Sequence, residues 1–227
     1  METSIESISY FRPAVSSATR HAGANLEFAP DALTKAANSA NKIDSEKVAA
    51  GVRMILEGLG DDPDREGLLD TPARVARMYQ ELVYGINVDP ASEITCTFTE
   101  ETDELVLVKD IPFASFCEHH MLPFVGSATI GYLPAEGKIT GLSKLARVVE
   151  VASKRLQVQE RMTTQIADAI EKRLGTRGVV VIVEAEHLCM SIRGIRKPGS
   201  KTLTTAFRGE FKKNTDARKE VLALIGR

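Results

Sequence analysis

The sequence predicts an α+β fold, in which an antiparallel four-stranded sheet carries two helices on one face and follows a pair of N-terminal helices. The main observation is the order of the periodic segments after residue 100, which runs strand, strand, helix, helix, strand, strand. Segments in this order form a layer of helices over an antiparallel sheet. A second observation is that helical periodicity fills residues 44–90 before any strand pattern begins.

Composition narrows the class of protein. The chain has 227 residues and a net charge of -2, and 43% of its residues are hydrophobic. Its apolar runs fall short of the roughly 20 residues of a membrane span, and its N-terminus does not resemble a secretory signal. Three cysteines are too few for a disulfide framework and favour a reducing compartment. We therefore expect a cytoplasmic globular protein that binds neither membranes nor nucleic acid.

The first 90 residues divide into two predicted parts. Residues 1–43 are rich in Ala, Ser and Asn and lack a sustained apolar period, which predicts a flexible arm. Residues 44–90 form a helical segment, in which Asp44 and Ser45 cap the first helix and its apolar face points inward. The second helix follows Thr71 as its cap, with Pro72 in the first turn.

Residues 91–227 are predicted to be the catalytic domain. The strand-like stretches are "DELVLVKDIPF", "FVGSATIGYLP", "GVVVIVEAEHLCMSIRG" and "KTLTTAFRGEF", and "LSKLARVVEVASKRL" and "VQERMTTQIADAIEKRLG" are the two helices. Gly175 closes the second of these helices, and Ser143 caps the first. "DARKEVLALIG" predicts a short terminal helix.

Two short clusters hold most of the chemically reactive side chains. "FCEHHMLP" at 116–123 and "EHLCMSIRG" at 186–194 contain three of the four histidines and two of the three cysteines. Cys117 and His120 are three apart, as in a tight turn, and His187 and Cys189 share a face of the predicted strand. Thiolate and imidazole are the preferred ligands of zinc, and a catalytic zinc keeps three protein ligands plus a water. Two cysteines and one histidine meet that number, and the other two histidines remain for proton transfer.

The motifs resemble those of the GTP cyclohydrolase I family. The segments "TPARVARMY", "CEHHMLPFVG", "GLSKLARVVE", "QVQERMTTQIADAI" and "EAEHLCMSIRGIRKPGS" occur in the family's order over roughly residues 45–225. The resemblance implies a tunnelling fold and a homodecamer with active sites at subunit interfaces. It also implies a hydrolase that opens the imidazole ring of GTP, releases formate and forms 7,8-dihydroneopterin triphosphate, the first step of pterin and tetrahydrofolate biosynthesis.

Carried over residue by residue, the resemblance implies one zinc per subunit, held by Cys117, His120 and Cys189. His119 and His187 match the proton-transferring histidines, and Ser143 lies near the sugar hydroxyls. Protonation of guanine nitrogen 7 by His119 would make carbon 8 electrophilic, which suits attack by activated water.

The resemblance also implies which residues contact the substrate. Glu160 matches the carboxylate that reads the guanine amine and ring N–H, and Gln159 lies beside it. The triphosphate contacts are cationic: Lys144, Arg147, Arg193 and, from a neighbouring subunit, Arg74. A predicted helix start at Ser143 would favour anions near Lys144.

Two other readings remain open. The chain could be another enzyme on the same fold, such as a pterin- or deazapurine-handling reductase or aldolase. It could also be a non-catalytic module stabilised by a closed zinc site, since a buried cysteine is often only a small hydrophobe. Several remaining residues are interpreted as structural or surface groups, or as a support for their neighbours: Cys96, His21, Arg196, Lys197 and Glu118.

Overall fold

The computed structural model describes residues 43–226. The predicted arm therefore lies outside the described residues except for Ile43, as does His21. The helices are α1 (Ser45–Gly58), α2 (Thr71–Leu82), α3 (Leu142–Ser153), α4 (Gln159–Leu174), α5 (Leu188–Ser191), α6 (Glu210–Lys213) and α7 (Thr215–Ile225), with a 3-10 turn at Pro90–Glu93. The strands are β1 (Phe98–Thr99), β2 (Val106–Cys117), β3 (Pro123–Leu133), β4 (Lys138–Ile139), β5 (Leu156–Gln157), β6 (Gly178–His187) and β7 (Lys201–Gly209).

Four long antiparallel strands form the main sheet, as predicted. Its order is β5-β2-β3-β6-β7, and β2–β3, β3–β6 and β6–β7 all pair antiparallel. The prediction missed β5, which adds two residues parallel to the end of β2. A two-residue strand of this kind has too few residues to show a period. Strands β1 and β4 form a separate two-stranded sheet.

Helices α3 and α4 pack on one face of the sheet. Helix α3 buries Leu145, Val148 and Val149, and α4 buries Met162 and Ile166, positions that recur at the three- and four-residue spacing of a helix face. Helix α4 ends at Gly175, whose φ of 64° is in the left-handed region that glycine adopts without strain. The predicted α+β layer and the predicted end of this helix are confirmed.

Strand β6 is buried on both of its faces. Val179, Val181 and Val183 face the core beneath α3 and α4, whereas Val180 and Ile182 pack in a second cluster with α6 and α7. A strand covered on both sides reads as a continuous apolar run, which explains "GVVVIVEA". The two long helices are on one face, as predicted, and the short C-terminal helices cover part of the other.

The N-terminal helices differ in detail from the sequence prediction. Asp44 caps α1 by accepting a hydrogen bond from the Lys47 backbone N–H at 2.9 Å, as predicted. The cap of α2 is Asp70, not Thr71, which is already the first helical residue. Within residues 43–226, α1 buries none of its residues, and Leu59 is 77% exposed. Its apolar face was predicted to point inward, but α1 packs chiefly on α2. None of the helices in this described part of the chain has both the length and the apolar character to span a membrane.

Candidate functional site

Two thiols and one imidazole converge at one end of the main sheet. Cys117 is the last residue of β2, His187 is the last residue of β6, and Cys189 follows in the single turn of α5. Strand β3 lies between β2 and β6, so its pairing with each of them brings the two distant segments together. One ligand atom from each of the three residues lies within 4.8 Å of the other two.

The chemistry of this group fits a metal ion. Cysteine sulfur and histidine nitrogen are the ligands that zinc prefers, and three protein ligands leave a position open. Cys117 is buried and Cys189 is half-buried. Burial and the neighbouring Cys117 both raise the pKa of the Cys189 thiol. Two thiolates side by side repel each other, and a cation between them would offset that repulsion.

The ring of His187 is fixed from two directions. It stacks on the Phe124 ring, with ring centroids 4.6 Å apart and planes inclined by 1°. Its Nε2 lies 2.8 Å from Oε1 of Gln159, the first residue of α4. Burial lowers the pKa of His187, and the charge of Glu160 partly opposes this shift. The ring is therefore neutral at neutral pH in the described structure.

The two adjacent histidines lie in the exposed turn between β2 and β3. Nε2 of His120 contacts Nη1 of Arg193, and the guanidinium can only donate in this contact. Met121 follows with φ of 53°, in the left-handed region, as the chain reverses towards β3. The structure thus places His119 and His120 in the turn that follows Cys117, and His120 is outside the group formed by Cys117, His187 and Cys189.

An ion pair ties this turn to the start of α4. The Glu118 carboxylate accepts a hydrogen bond from Nη2 of Arg161, and this contact holds the pKa of Glu118 below its ordinary value. Arg161 Nε also donates to Oε1 of the buried Gln157 at 2.8 Å. The Glu118 backbone N–H donates to the Gln157 carbonyl at 3.0 Å. Residues around the thiol pair are therefore connected directly to the helix that carries Gln159.

The predicted phosphate contacts lie on separate elements. Lys144 and Arg147 are half-buried, one turn apart on the first half of α3. The helix begins at Leu142 after Gly141 in an extended conformation, so Ser143 is its second residue and not its cap. The chain enters α3 two residues earlier than a cap at Ser143 would allow. On α2, Arg74 pairs with Asp70 at 3.7 Å, and both are exposed.

Comparison with known proteins identifies the family. The model of the family described as GTP cyclohydrolase I matches residues 48–226. The chain belongs to the GTP cyclohydrolase I family. This confirms the family inferred from the sequence motifs and the prediction that the chain is an enzyme of that hydrolase class.

Curated relatives match over most of their length. GTP cyclohydrolase 1 of Carboxydothermus hydrogenoformans is 60% identical over 184 residues, which are 81% of this chain and 96% of the relative. The enzyme of the same name from Streptococcus gordonii is 59% identical over 80% of this chain and 97% of its own. Among solved structures, the archaeosine synthase QueF-Like in its apo form aligns with 48% of this chain and 97% of its own at 16% identity, with a TM-score of only 0.39.

Within this GTP cyclohydrolase I family member, the predicted site residues divide by location. Cys117 and Cys189 are brought together, and the histidine that joins them is His187, whereas His120 contacts Arg193. Cys189 was predicted on the same strand face as His187, but β6 ends at His187 and a helical turn directs the thiol inward. Glu160 is exposed beside the buried Gln159, at the start of α4.

Two residues that contact the candidate site were missed. Phe124 was interpreted only as part of a strand, although it stacks directly on His187. Arg161 was not singled out, although it pairs with Glu118. The available signal for Arg161 was Glu118 itself, because a carboxylate beside a predicted metal ligand often pairs with a cation.

Proposed function

We propose that this chain hydrolyses GTP at its imidazole ring, releases formate and recloses the product as 7,8-dihydroneopterin triphosphate, in a zinc-dependent reaction. The observation that supports this is the convergence of Cys117 and Cys189 with an imidazole, in a chain whose curated relatives are named GTP cyclohydrolase 1. The thiols come from separate sequence motifs, which makes an incidental pair of buried cysteines a poor explanation.

The proposed zinc ligands are Cys117, Cys189 and His120, one ion per subunit. When bound, zinc supplies a Lewis acid that activates water at neutral pH. His120 lies three residues after Cys117 in an exposed turn, and its use as a ligand leaves His187 for proton transfer. His187 itself is the competing third ligand, because its ring lies with the thiols. Metal content of His120→Ala and His187→Ala separates the two assignments.

Acid–base catalysis is assigned to His119 and His187, the two histidines that are not proposed as zinc ligands. His119 is exposed in the turn beside Cys117, where it can protonate guanine nitrogen 7 before water attacks carbon 8. His187 is neutral and held by Phe124, so it can accept and return a proton as the ribose ring opens. Ser143 is exposed on the first turn of α3 and is assigned to the sugar hydroxyls.

Substrate recognition is assigned to charged side chains around these groups. The exposed carboxylate of Glu160 accepts hydrogen bonds from the guanine amine and ring N–H. The triphosphate is assigned to four cations, Lys144, Arg147, Arg193 and Arg74 of a neighbouring copy.

The proposal extends to assembly and cellular role. The exposed apolar residues of α1, among them Met54 at 70% and Ile55 at 61%, support association of subunits, and a homodecamer is the proposed assembly. The proposed setting is cytoplasmic, as the first step of pterin and tetrahydrofolate biosynthesis, with GTP as the small-molecule substrate.

The experiment that tests the function is turnover of GTP with paired metal analysis. We expect formate release, a fluorescent pterin after oxidation and about one zinc per chain. Cys189→Ser should lose both zinc and turnover because a hydroxyl is a much poorer ligand than a thiolate. Cys96→Ser is the matched control, since Cys96 is exposed in a loop away from this group. Full zinc and turnover in Cys189→Ser would contradict the assignment.

A further inference from the structure

The side-chain amide of Gln159 is hydrogen-bonded to protein groups through both its nitrogen and its oxygen. Gln159 is 1% exposed. Its Nε2 lies 2.9 Å from the Val183 carbonyl oxygen, 3.0 Å from the Thr202 carbonyl oxygen and 3.1 Å from Thr204 Oγ1. Its Oε1 lies 2.8 Å from His187 Nε2. The NH₂ protons are used by these acceptors, and Oε1 keeps a second lone pair. Because the side chain is almost fully buried, a contact with guanine, which the sequence motifs implied, would require the surrounding groups to move.

The neighbouring hydroxyls determine which way the amide points. Thr163 Oγ1 lies 2.7 Å from the Gln159 backbone carbonyl, an acceptor, so its single proton is donated there. Thr163 Oγ1 is also 2.6 Å from Thr204 Oγ1, and Thr204 must therefore be the donor in that bond. Thr204 can then only accept a hydrogen bond from Gln159, and the same is true of the Val183 and Thr202 backbone carbonyls. The amide atom that faces these three acceptors must be the NH₂ group.

The amide orientation fixes the tautomer of His187. With its NH₂ group directed at β6 and β7, Gln159 presents its oxygen to His187 Nε2. An oxygen acceptor at 2.8 Å requires Nε2 to carry the proton. In the neutral ring the lone pair is then on Nδ1. The stack of His187 on Phe124 keeps the ring in the plane that this bond needs.

We propose that Gln159 is a positioning residue for His187, which it holds as the Nε2–H tautomer so that Nδ1 is the nitrogen available to a proton or a metal. The role of Nδ1 in proton transfer or metal binding rests on the proposed function. The tautomer of His187 does not, because it can be measured without turnover. Guanine recognition at the start of α4 is left to Glu160, whose side chain is exposed.

The direct test is nitrogen NMR of the full-length protein labelled with ¹⁵N-histidine, with and without zinc. The chain has only four histidines, and the His187→Gln spectrum identifies the signals of this ring. We expect a protonated Nε2 and an unprotonated Nδ1 in both samples. A wild-type His187 protonated at Nδ1 overturns the proposal, even if GTP is turned over normally.

Variants separate positioning from substrate binding. Gln159→Met fills similar space without an acceptor, so the tautomer preference should be lost and kcat should fall about 10- to 100-fold, whereas KM for GTP should change less than about threefold. Thr204→Val is the matched control, because Thr204 touches only the NH₂ side, and it should retain the tautomer.

Two results with these variants would overturn the proposal. A large rise in KM with the tautomer retained in Gln159→Met would make Gln159 a substrate contact and overturn the proposal. Loss of the tautomer in Thr204→Val to the same extent would assign the effect to general packing and also overturn it. If Gln159→Met does not fold, the wild-type spectrum still decides. Absence of formate release with a protonated Nε2 would instead refute the proposed function alone.

Discussion

Replacing Phe124 with leucine should weaken catalysis as well as the core. Phe124 is fully buried, stacks on His187 at 4.6 Å and meets the edge of Phe113 at 5.8 Å. Phe→Leu removes a small part of a buried side chain, which costs about 1 kcal/mol, and each lost ring pair adds about 0.5–1.5 kcal/mol. The free energy of unfolding should therefore fall by about 2–4 kcal/mol. Because His187 also loses the surface that orients it, kcat should fall about tenfold.

Phe113→Leu is the matched control for this effect. Phe113 is 6% exposed and shares the edge contact with Phe124, so this variant loses one ring pair but leaves the stack on His187. We expect a stability loss of about 1.5–2.5 kcal/mol with kcat within about threefold of wild type. Urea unfolding at a fixed protein concentration and formate release at saturating GTP measure the two quantities. Equal loss of kcat in both variants would refute the role assigned to the stack.

Three further predictions test other parts of the site and fold. Glu160→Gln should reduce the preference for GTP over ITP about tenfold or more, measured as the ratio of binding constants, because the amide presents one acceptor and no charge; unchanged selectivity would rule out Glu160 as the guanine reader. His119→Ala should retain zinc by metal analysis but lose formate release, and a metal-free variant would make His119 a ligand instead. The hydrogen bonds from Arg177 to Glu210, at 2.8 and 3.1 Å, lower the pKa of Glu210. This pair therefore stabilises the fold fully above the pKa that Glu210 has in the unfolded chain. Its contribution is lost as the pH falls through the lower pKa of the folded state. Arg177→Gln should therefore show a flatter fall in unfolding free energy between about pH 5 and 3 than wild type, and parallel curves would contradict this.

The parts of the fold that depend on local pattern could be predicted from the sequence. The apolar run of β6, the helical spacing of α4 and the stop at Gly175 are all local properties, and they appear in the structure as expected. The direction of the α1 apolar face could not be predicted, because amphipathicity shows that a face needs a partner but not where the partner is.

The candidate site shows the same division between local and distant information. Spacing identified the two cysteine motifs, but not that β3 would bring His187 beside both thiols while His120 faced Arg193. The tautomer of His187 depends on hydroxyl protons on α4 and β7, which are far from it in the sequence. Side-chain partners of this kind are set by tertiary packing, and a single sequence carries no direct record of them.

The position of β3, between the strand that ends at Cys117 and the strand that leads to Cys189, has a consequence for biogenesis. Cys117 precedes β3 and Cys189 follows β6, so neither thiol can meet the other until most of the chain has left the ribosome and β6 has paired with β3. A growing chain can therefore hold a metal through Cys117 and its neighbours only weakly, because the second thiol is missing. We expect tight metal uptake to coincide with closure of the β3–β6 ladder, which makes metal retention a measure of completed folding as well as of catalytic competence.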